Sequence, residues 1–430
     1  MLNEQHREKA IIVGVVHARQ NRELVGEYLD ELSLLLDTAG ADVVYRTIQE
    51  RKAFDPAYLV GKGFSDHLAD KTNELEADMI VFDDDLSPAQ VKNLEARCKT
   101  KIMDRSGIIL DIFANRAKTR EAKTQVELAQ LQYYLPRLTK MWTHLSRQAG
   151  SAGIGLKGPG ETQLETDRRL VRRRITTLSR ELVKITNQRN IRRQRRKEEF
   201  KVALMGYTNV GKSSLMNTLT TSDIYVENRL FATLDSTVRQ LEHSGKENVL
   251  LIDTVGFVRK LPHHLVASFK STLEETRDAD LLLHVVDCSH PYFRDQMRVI
   301  EKVLKELEVD DRPTILVFNK IDLVQDKSTL SDLNQEFPQG LLVSAKRKLF
   351  TEDLKQEIVR RMKEQNIKAD IQISLSDQKL LASIYEWAKV LDRKYEDGHV
   401  LLSIQFPTAY RNKYYQLIDG QETKKDFHAK

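Results

Sequence analysis

The run Gly206-Tyr207-Thr208-Asn209-Val210-Gly211-Lys212-Ser213 leaves few folds open, because an alternating apolar stretch (Val202, Leu204) precedes it and a helical pattern follows. A strand must end, the backbone must wrap an anion, and a helix must begin. Gly206 and Gly211 let the backbone N–H groups of Tyr207, Thr208, Asn209 and Val210 close on phosphates. Lys212 then reaches the β/γ-phosphates, and the Ser213 hydroxyl is placed for Mg²⁺.

The companions of such a loop follow in order. Val249 to Ile252 reads as a buried strand that runs into Asp253-Thr254-Val255-Gly256. An acid there holds Mg²⁺ through water, and a glycine offers its N–H to a γ-phosphate. The apolar stretch Thr314 to Phe318 ends in Asn319-Lys320-Ile321-Asp322. Asp322 can accept from guanine N1–H and the 2-amino group, neither of which adenine offers. Leu341 to Val343 leads into Ser344-Ala345-Lys346, a small-residue turn suited to the other side of the base. Between the loop and Asp253 lies Phe231-Ala232-Thr233-Leu234-Asp235, where Thr233 is the candidate to close over Mg²⁺ when a γ-phosphate is present. Residues 199–365 are therefore expected to form a Ras-like P-loop GTPase domain of α/β class, a mostly parallel sheet with helices on both faces. Lys212, Thr233 and Gly256 are the candidate catalytic groups, and Ser213 and Thr233 the candidate Mg²⁺ ligands.

The phosphate loop, Phe231 to Asp235, Asp253-Thr254-Val255-Gly256-Phe257 and Leu261-Pro262-His263 resemble the HflX family of translational GTPases. Outside that domain, Glu121-Ala122-Lys123-x-Gln125-Val126-Glu127-Leu128-Ala129 and Gly158-Pro159-Gly160-Glu161-Thr162-Gln163-Leu164-Glu165 resemble it too. Two departures stand out: Ser214 where threonine is usual, and Ser236 where proline is usual. The resemblance implies a ribosome-associated GTPase that engages the large subunit and its RNA, dissociates stalled or idle ribosomes under stress, and works as a monomer. It also implies that Asn209 holds a monovalent cation, K⁺, beside the phosphates, in place of an arginine finger.

The rest of the chain divides by pattern. Residues 1–115 alternate apolar runs (Ile11 to Val16, Ala41 to Tyr45, Met79 to Phe82, Ile108 to Leu110) with helical stretches such as 22–37, which predicts a small α/β domain. Gly61-Lys62-Gly63 within it reads as a turn, with a second nucleotide site as the weaker alternative. From 116 to 198 the apolar residues Ala122, Val126, Ala129 and Tyr133 form one helical seam. Val171, Ile175, Leu178, Leu182 and Ile185 form another, so the segment predicts an antiparallel helical hairpin. Its connection, residues 150–160, holds five glycines and one proline. Such a segment orders at high entropic cost and is expected to wait for a partner. Residues 366–430 predict a small α/β domain, with strands near Ile371–Ile373 and Val400–Phe406 and a helix over 376–395 between them.

Charge locates the partner. The net +5 conceals a segment, residues 168–197, with thirteen Lys/Arg and one acid, Glu181, so the remainder is net negative. A solvated helix face normally mixes signs, and this density calls for a polyanion. The segment has no aromatic residue, which favours phosphate contacts to structured RNA over base stacking. A GTP-regulated RNA- or membrane-surface-binding switch is the alternative to a ribosome-splitting factor, but the basic helix lacks the large apolar residues of membrane-surface helices. No apolar run approaches membrane-spanning length, Met1 to His6 lacks a signal-peptide layout, and the two cysteines, Cys98 and Cys288, lie far apart; a cytoplasmic protein is expected. Finally, Phe257 stands where many Ras-like proteins carry a water-orienting glutamine. A phenyl ring neither donates to nor accepts from water, so unaided hydrolysis is expected to be slow and a partner to complete the site.

Overall fold

The computed structural model describes residues 7–17, 21–138, 163–194, 199–220, 230–231, 233, 237–242, 249–260, 276–309, 311–396, 398–406, 410, 413–415 and 417. Ala232, Leu234 and Asp235, the glycine-rich connection 150–160, and the segment 261–264 lie outside them. By its contacts the chain falls into two units: residues 1–187 with 226–236 and 255–274, and residues 188–225 with 237–254 and 275–430.

The first unit opens with β1 (Glu8–His17), α1 (Arg22–Ala39), β2 (Ala41–Arg51), α2 (Lys62–Leu75), β3 (Met79–Phe82), α3 (Pro88–Cys98), β4 (Lys101–Asp104) and α4 (Arg105–Arg116). The strands form a parallel sheet in the order β2-β1-β3-β4. The continuous apolar run of β1 is buried along Ala10–Val15, as a central parallel strand with both faces covered requires. Local capping fixes the helices. Asn21 caps α1, which ends at Gly40 with φ 94, and Ser87 and Gln90 form a reciprocal capping box at α3. Two readings need correcting. Ile108 to Leu110, expected in a strand, lie in α4, because Asp104 ends β4 and at once caps the helix by accepting from Gly107 N at 3.0 Å; a short apolar run does not by itself distinguish a buried helix from a strand. Gly61-Lys62-Gly63 is the capping residue and first turn of α2.

The hairpin pairs α5 (Arg120–Tyr134) with α6 (Gln163–Gln194). Ion pairs Arg120–Glu181 (2.5 Å) and Arg174–Glu127 (2.7 Å) run in opposite sequence directions, which makes the helices antiparallel. Ala122, Val126, Ala129 and Tyr133 on α5 and Leu178 on α6 are buried, as the seams require. The base of the hairpin is bolted to the sheet by Asp104. This fully buried carboxylate accepts from Leu86 N (3.1 Å), Tyr133 Oη (2.6 Å) and the Arg137 guanidinium (3.0 Å) as well as from Gly107 N.

The second unit holds β5 (Phe200–Gly206), α7 (Lys212–Leu219), β6 (Thr237–Gln240), β7 (Val249–Asp253), β8 (Leu281–Asp287), α8 (Phe293–Glu306), β9 (Thr314–Asn319), α9 (Lys327–Glu336), β10 (Leu341–Leu342) and α10 (Thr351–Glu364). Its six-stranded sheet runs β10-β9-β8-β5-β7-β6, parallel except for β6. The carboxyl ends of β5, β7 and β9 thus line one edge, where open α/β sheets place ligands. Beyond it, β11 (Ile367–Ser374), α11 (Gln378–Trp387), β12 (Lys389–Glu396) and β13 (His399–Phe406) form an antiparallel sheet in the order β11-β13-β12. The helix expected over 376–395 stops at Trp387, and Lys389–Glu396 is a strand. It pairs with β13 across a turn in which Gly398 takes φ 77.

Removing the Asp104 carboxylate leaves Arg137 and Tyr133 with buried polar atoms that have lost their acceptor. Asp104→Ala is expected to lower stability by about 3–5 kcal/mol, read as a shift of the urea midpoint, whereas Arg120→Ala at the exposed end of the hairpin should cost about 1 kcal/mol or less.

Candidate functional site

The site is built where β5 gives way to α7. At Gly206 a Cβ would stand 2.3 Å from the Val285 carbonyl oxygen. At Gly211, with φ 91, it would stand 2.4 Å from Asn319 Nδ2, so neither position admits a side chain. Asn209 takes φ 61 and is exposed, a left-handed conformation that asparagine tolerates. Lys212 is buried, and its ammonium donates to the carbonyls of Gly206 (3.1 Å) and Tyr207 (2.8 Å), which aims it back across its own loop. Burial pushes its pKa down to about 8 against the pull of Asp253. The Thr208 hydroxyl is buried in the loop without a partner among the described residues, a donor left for a ligand oxygen.

Ser213, in the first turn of α7, donates to Asp253 Oδ2 at 2.7 Å. Two hard oxygen donors so close to the loop fit Mg²⁺, which takes few protein ligands and keeps its waters. Thr254 donates to Leu204 O at 2.6 Å and pins the chain as it leaves β7.

Asn319, at the end of β9, touches both neighbouring loops. Its Nδ2 donates to Val210 O at 2.8 Å, and its Oδ1 accepts from Ala345 N at 2.9 Å. Thr218 adds a bond to Ala345 O at 3.1 Å. Lys320 pairs with Asp287 at 2.6 Å, and Asp322 accepts from Ser344 Oγ at 2.6 Å while its side chain stays nearly inaccessible. The Ser344 hydroxyl thereby fixes which way the Asp322 carboxylate faces. Lys346 is exposed.

The fold thus brings together Gly206 to Ser213, Asp253, Thr254, Asn319, Lys320, Asp322, Ser344 and Ala345. Phe231, Thr233, Val255 and Gly256 belong by contacts to the first unit. There the Phe231 side chain is buried edge-on against Phe113 with centroids 4.6 Å apart. Phe257 is also buried, so its ring packs rather than faces solvent. Sequence reading missed Asp287, the partner of Lys320. An acid closing an apolar strand beside the loop was its only signal.

A glycine-bounded phosphate loop, an acid on the neighbouring strand and an Asn-Lys-x-Asp strand end, in one parallel sheet, define a P-loop GTPase. Profiles described as "GTP-binding GTPase N-terminal", "GTP-binding GTPase Middle Region" and "50S ribosome-binding GTPase" match residues 26–114, 116–196 and 201–320. The chain is 53% identical over 315 residues to the GTPase HflX of Flavobacterium psychrophilum, covering 73% of this chain and 76% of that one. It is 42% identical to the HflX of Lacrimispora saccharolytica and 40% to that of Escherichia coli, each match covering 93% of this chain and 94% of the relative. The chain belongs to the HflX family and hydrolyses GTP.

The depressed Lys212 pKa sets a pH dependence. Phosphate requires the ammonium form, which the ligand-free site loses as pH rises through about 8. Nucleotide binding above that pH must therefore take up a proton, and affinity should fall by up to roughly tenfold per pH unit. Titration calorimetry at pH 9 in two buffers of different ionisation enthalpy should give different apparent heats; identical heats would show that Lys212 is already charged.

Proposed function

We propose that the chain is a GTP-hydrolysing factor that docks through its hairpin on the RNA of the large ribosomal subunit and dissociates stalled or idle ribosomes under stress. The observation that carries this reading is on α6. Arg172, Arg173, Arg180 and Lys184 are exposed and make no ion pair among the described residues, although Glu127 and Glu181 lie within the same hairpin. Cations left unneutralised on a helix braced to its own domain suit a fixed row of phosphates. The match to a family described as 50S ribosome-binding supports the choice of RNA. Among the described residues no helix is long and apolar enough to cross a membrane.

In this reading Gly206 to Ser213 cradle the phosphates and Lys212 bridges the β- and γ-groups. Ser213 and Thr233 hold Mg²⁺, with Asp253 behind Ser213, and Gly256 N–H meets the γ-phosphate. Mg²⁺ would supply charge neutralisation on the transferring group. Asp322 reads guanine, with Ser344 and Ala345 on the base's other side, and Asn209 with K⁺ supplies the positive charge that other GTPases draw from arginine. Phe257 is buried and its ring offers water neither donor nor acceptor, so in this reading turnover waits on the ribosome.

Asp322→Asn should lose roughly 1–3 kcal/mol or more of GTP affinity and gain relative affinity for xanthine nucleotides, since guanine N1–H loses its carboxylate acceptor. Equal affinity for GTP in the variant would remove the base-reading role. Equal turnover in potassium and sodium would likewise remove the cation from Asn209.

The hairpin itself is tested by neutralising Arg172, Arg173 and Arg180. Arg174 is left intact because it braces the hairpin through Glu127. Co-sedimentation with ribosomes in a non-hydrolysable GTP analogue should weaken, and the log–log salt slope should flatten by about 0.7–0.9 per lost phosphate contact. GTP affinity should be retained. Wild-type co-sedimentation in the triple variant would overturn RNA docking by this face.

A further inference from the structure

The sheet of the first unit presents an unusual occupant at its carboxyl edge. Asp83, the residue after β3, is almost wholly buried and uses both carboxylate oxygens: Oδ1 accepts from Arg105 at 2.5 Å and Oδ2 from Lys260 Nζ at 2.5 Å. Lys260 Nζ also donates to Asp84 Oδ1 at 2.6 Å and stands over the Tyr28 ring, 5.2 Å from its centroid. Its neighbour Arg259 covers the same ring at 4.9 Å and faces Glu27 at 3.7 Å. Lys260 lies four residues after Gly256, in the segment expected to sense the γ-phosphate, and takes φ 52, a left-handed backbone that strains a lysine. Buried charge on Asp83 works against desolvation, yet Arg105 and Lys260 hold its pKa below the ordinary value.

The same network reaches the hairpin. Arg105 follows Asp104 directly, and Asp104 accepts from Tyr133 Oη and Arg137 at the hairpin base. Arg168 of the basic helix donates to Leu138 O at 3.0 Å, one residue beyond Arg137. A buried carboxylate with both oxygens committed cannot follow one partner without disturbing the other. Movement at the hairpin base therefore reaches Lys260 through Asp104, Arg105 and Asp83, which are charged and almost wholly buried.

We propose that Lys260 is a positioning residue for GTP hydrolysis: held by Asp83 and Asp84, it makes the placement of the Gly256 segment depend on how the hairpin is seated. The inference rests on the proposed RNA docking of the hairpin. It differs from that reading in predicting which residue transmits the event.

The experiment compares kcat and KM of the full chain with and without purified ribosomes, alongside co-sedimentation. For Lys260→Ala the ratio of ribosome-stimulated to unaided kcat should fall at least about tenfold, while KM for GTP stays within about threefold and co-sedimentation is retained. Lys260→Arg should recover most of the ratio. Tyr133→Phe, which removes one bond to Asp104 and keeps the ring, should lower the ratio as well, and the double variant should lose no more than Lys260→Ala alone. An undiminished ratio in Lys260→Ala, or additive losses in the double variant, would overturn the inference and leave the docking reading intact. Loss of co-sedimentation in Lys260→Ala would overturn it too, by assigning the residue to docking. A parent chain that ribosomes fail to stimulate would overturn both.

Discussion

The side-chain amide of Asn319 is the contact on which the nucleotide site depends. One end holds the phosphate loop at Val210 and the other holds the Ser344–Lys346 turn at Ala345, so three chain segments far apart in sequence share one rigid group. Because an amide offers a donor and an acceptor at fixed separation, neither loop can shift without breaking a buried bond. The same side chain sits where a Cβ on Gly211 would be, so the loop's glycine and the asparagine require each other. Geometry of this kind is paid for once, at folding, and leaves little reorganisation for the moment of reaction.

The first unit solves a different problem with the same logic. Asp83, Asp104 and Arg105 are each at most 1% exposed, which is costly for charged groups unless every partner is in place. Each carboxylate accepts from at least two donors, and Arg105 meets both Asp83 and Glu31. Such a network adds little net stability compared with an apolar core, but it penalises every arrangement except one. Where precise seating of a hairpin and a switch segment matters more than stability, charged interiors are the suitable material.

The legible and illegible parts of the sequence divide along physical lines. The phosphate loop, Asp253, Asn319-Lys320-Ile321-Asp322 and the hairpin seams could be read because each is local: a strand end, a tight loop, or a 3–4 apolar repeat. The α4 helix could not, because Ile108 to Leu110 are apolar for burial on several sides and the deciding signal, Asp104 as cap, was hidden among its four hydrogen bonds. Residues 389–395 read as helix because the strand they belong to is exposed along most of its length and carries little alternation. The turn at Gly398 beside it is the local feature that marks a hairpin. Asp83-Asp84-Asp85 stood plainly at the end of an apolar strand, yet its use depends on Arg105 and Lys260, separated from Asp83 by 22 and 177 positions, a pairing no local pattern encodes.

That long separation bears on how a GTPase of this kind is controlled. Thr254 is tied to β5 through Leu204, and Lys260 is tied to Asp83 and Asp84; between the two ties lie only Val255 to Arg259. Six peptide steps reach at most roughly 20 Å even when fully extended, and Phe257 and Val258 are buried in addition. A switch tethered so closely at both ends has few conformations to search. Its freedom resides in the ties themselves rather than in the intervening residues, and the proposal of Lys260 as a positioning residue makes the Asp83 and Asp84 tie the one a partner acts on. Replacing glutamine by phenylalanine at position 257 is consistent with that arrangement. The buried ring of Phe257 anchors the segment where a glutamine would orient water, and under the proposed role of Lys260 control of the chemistry lies with the body that holds that lysine.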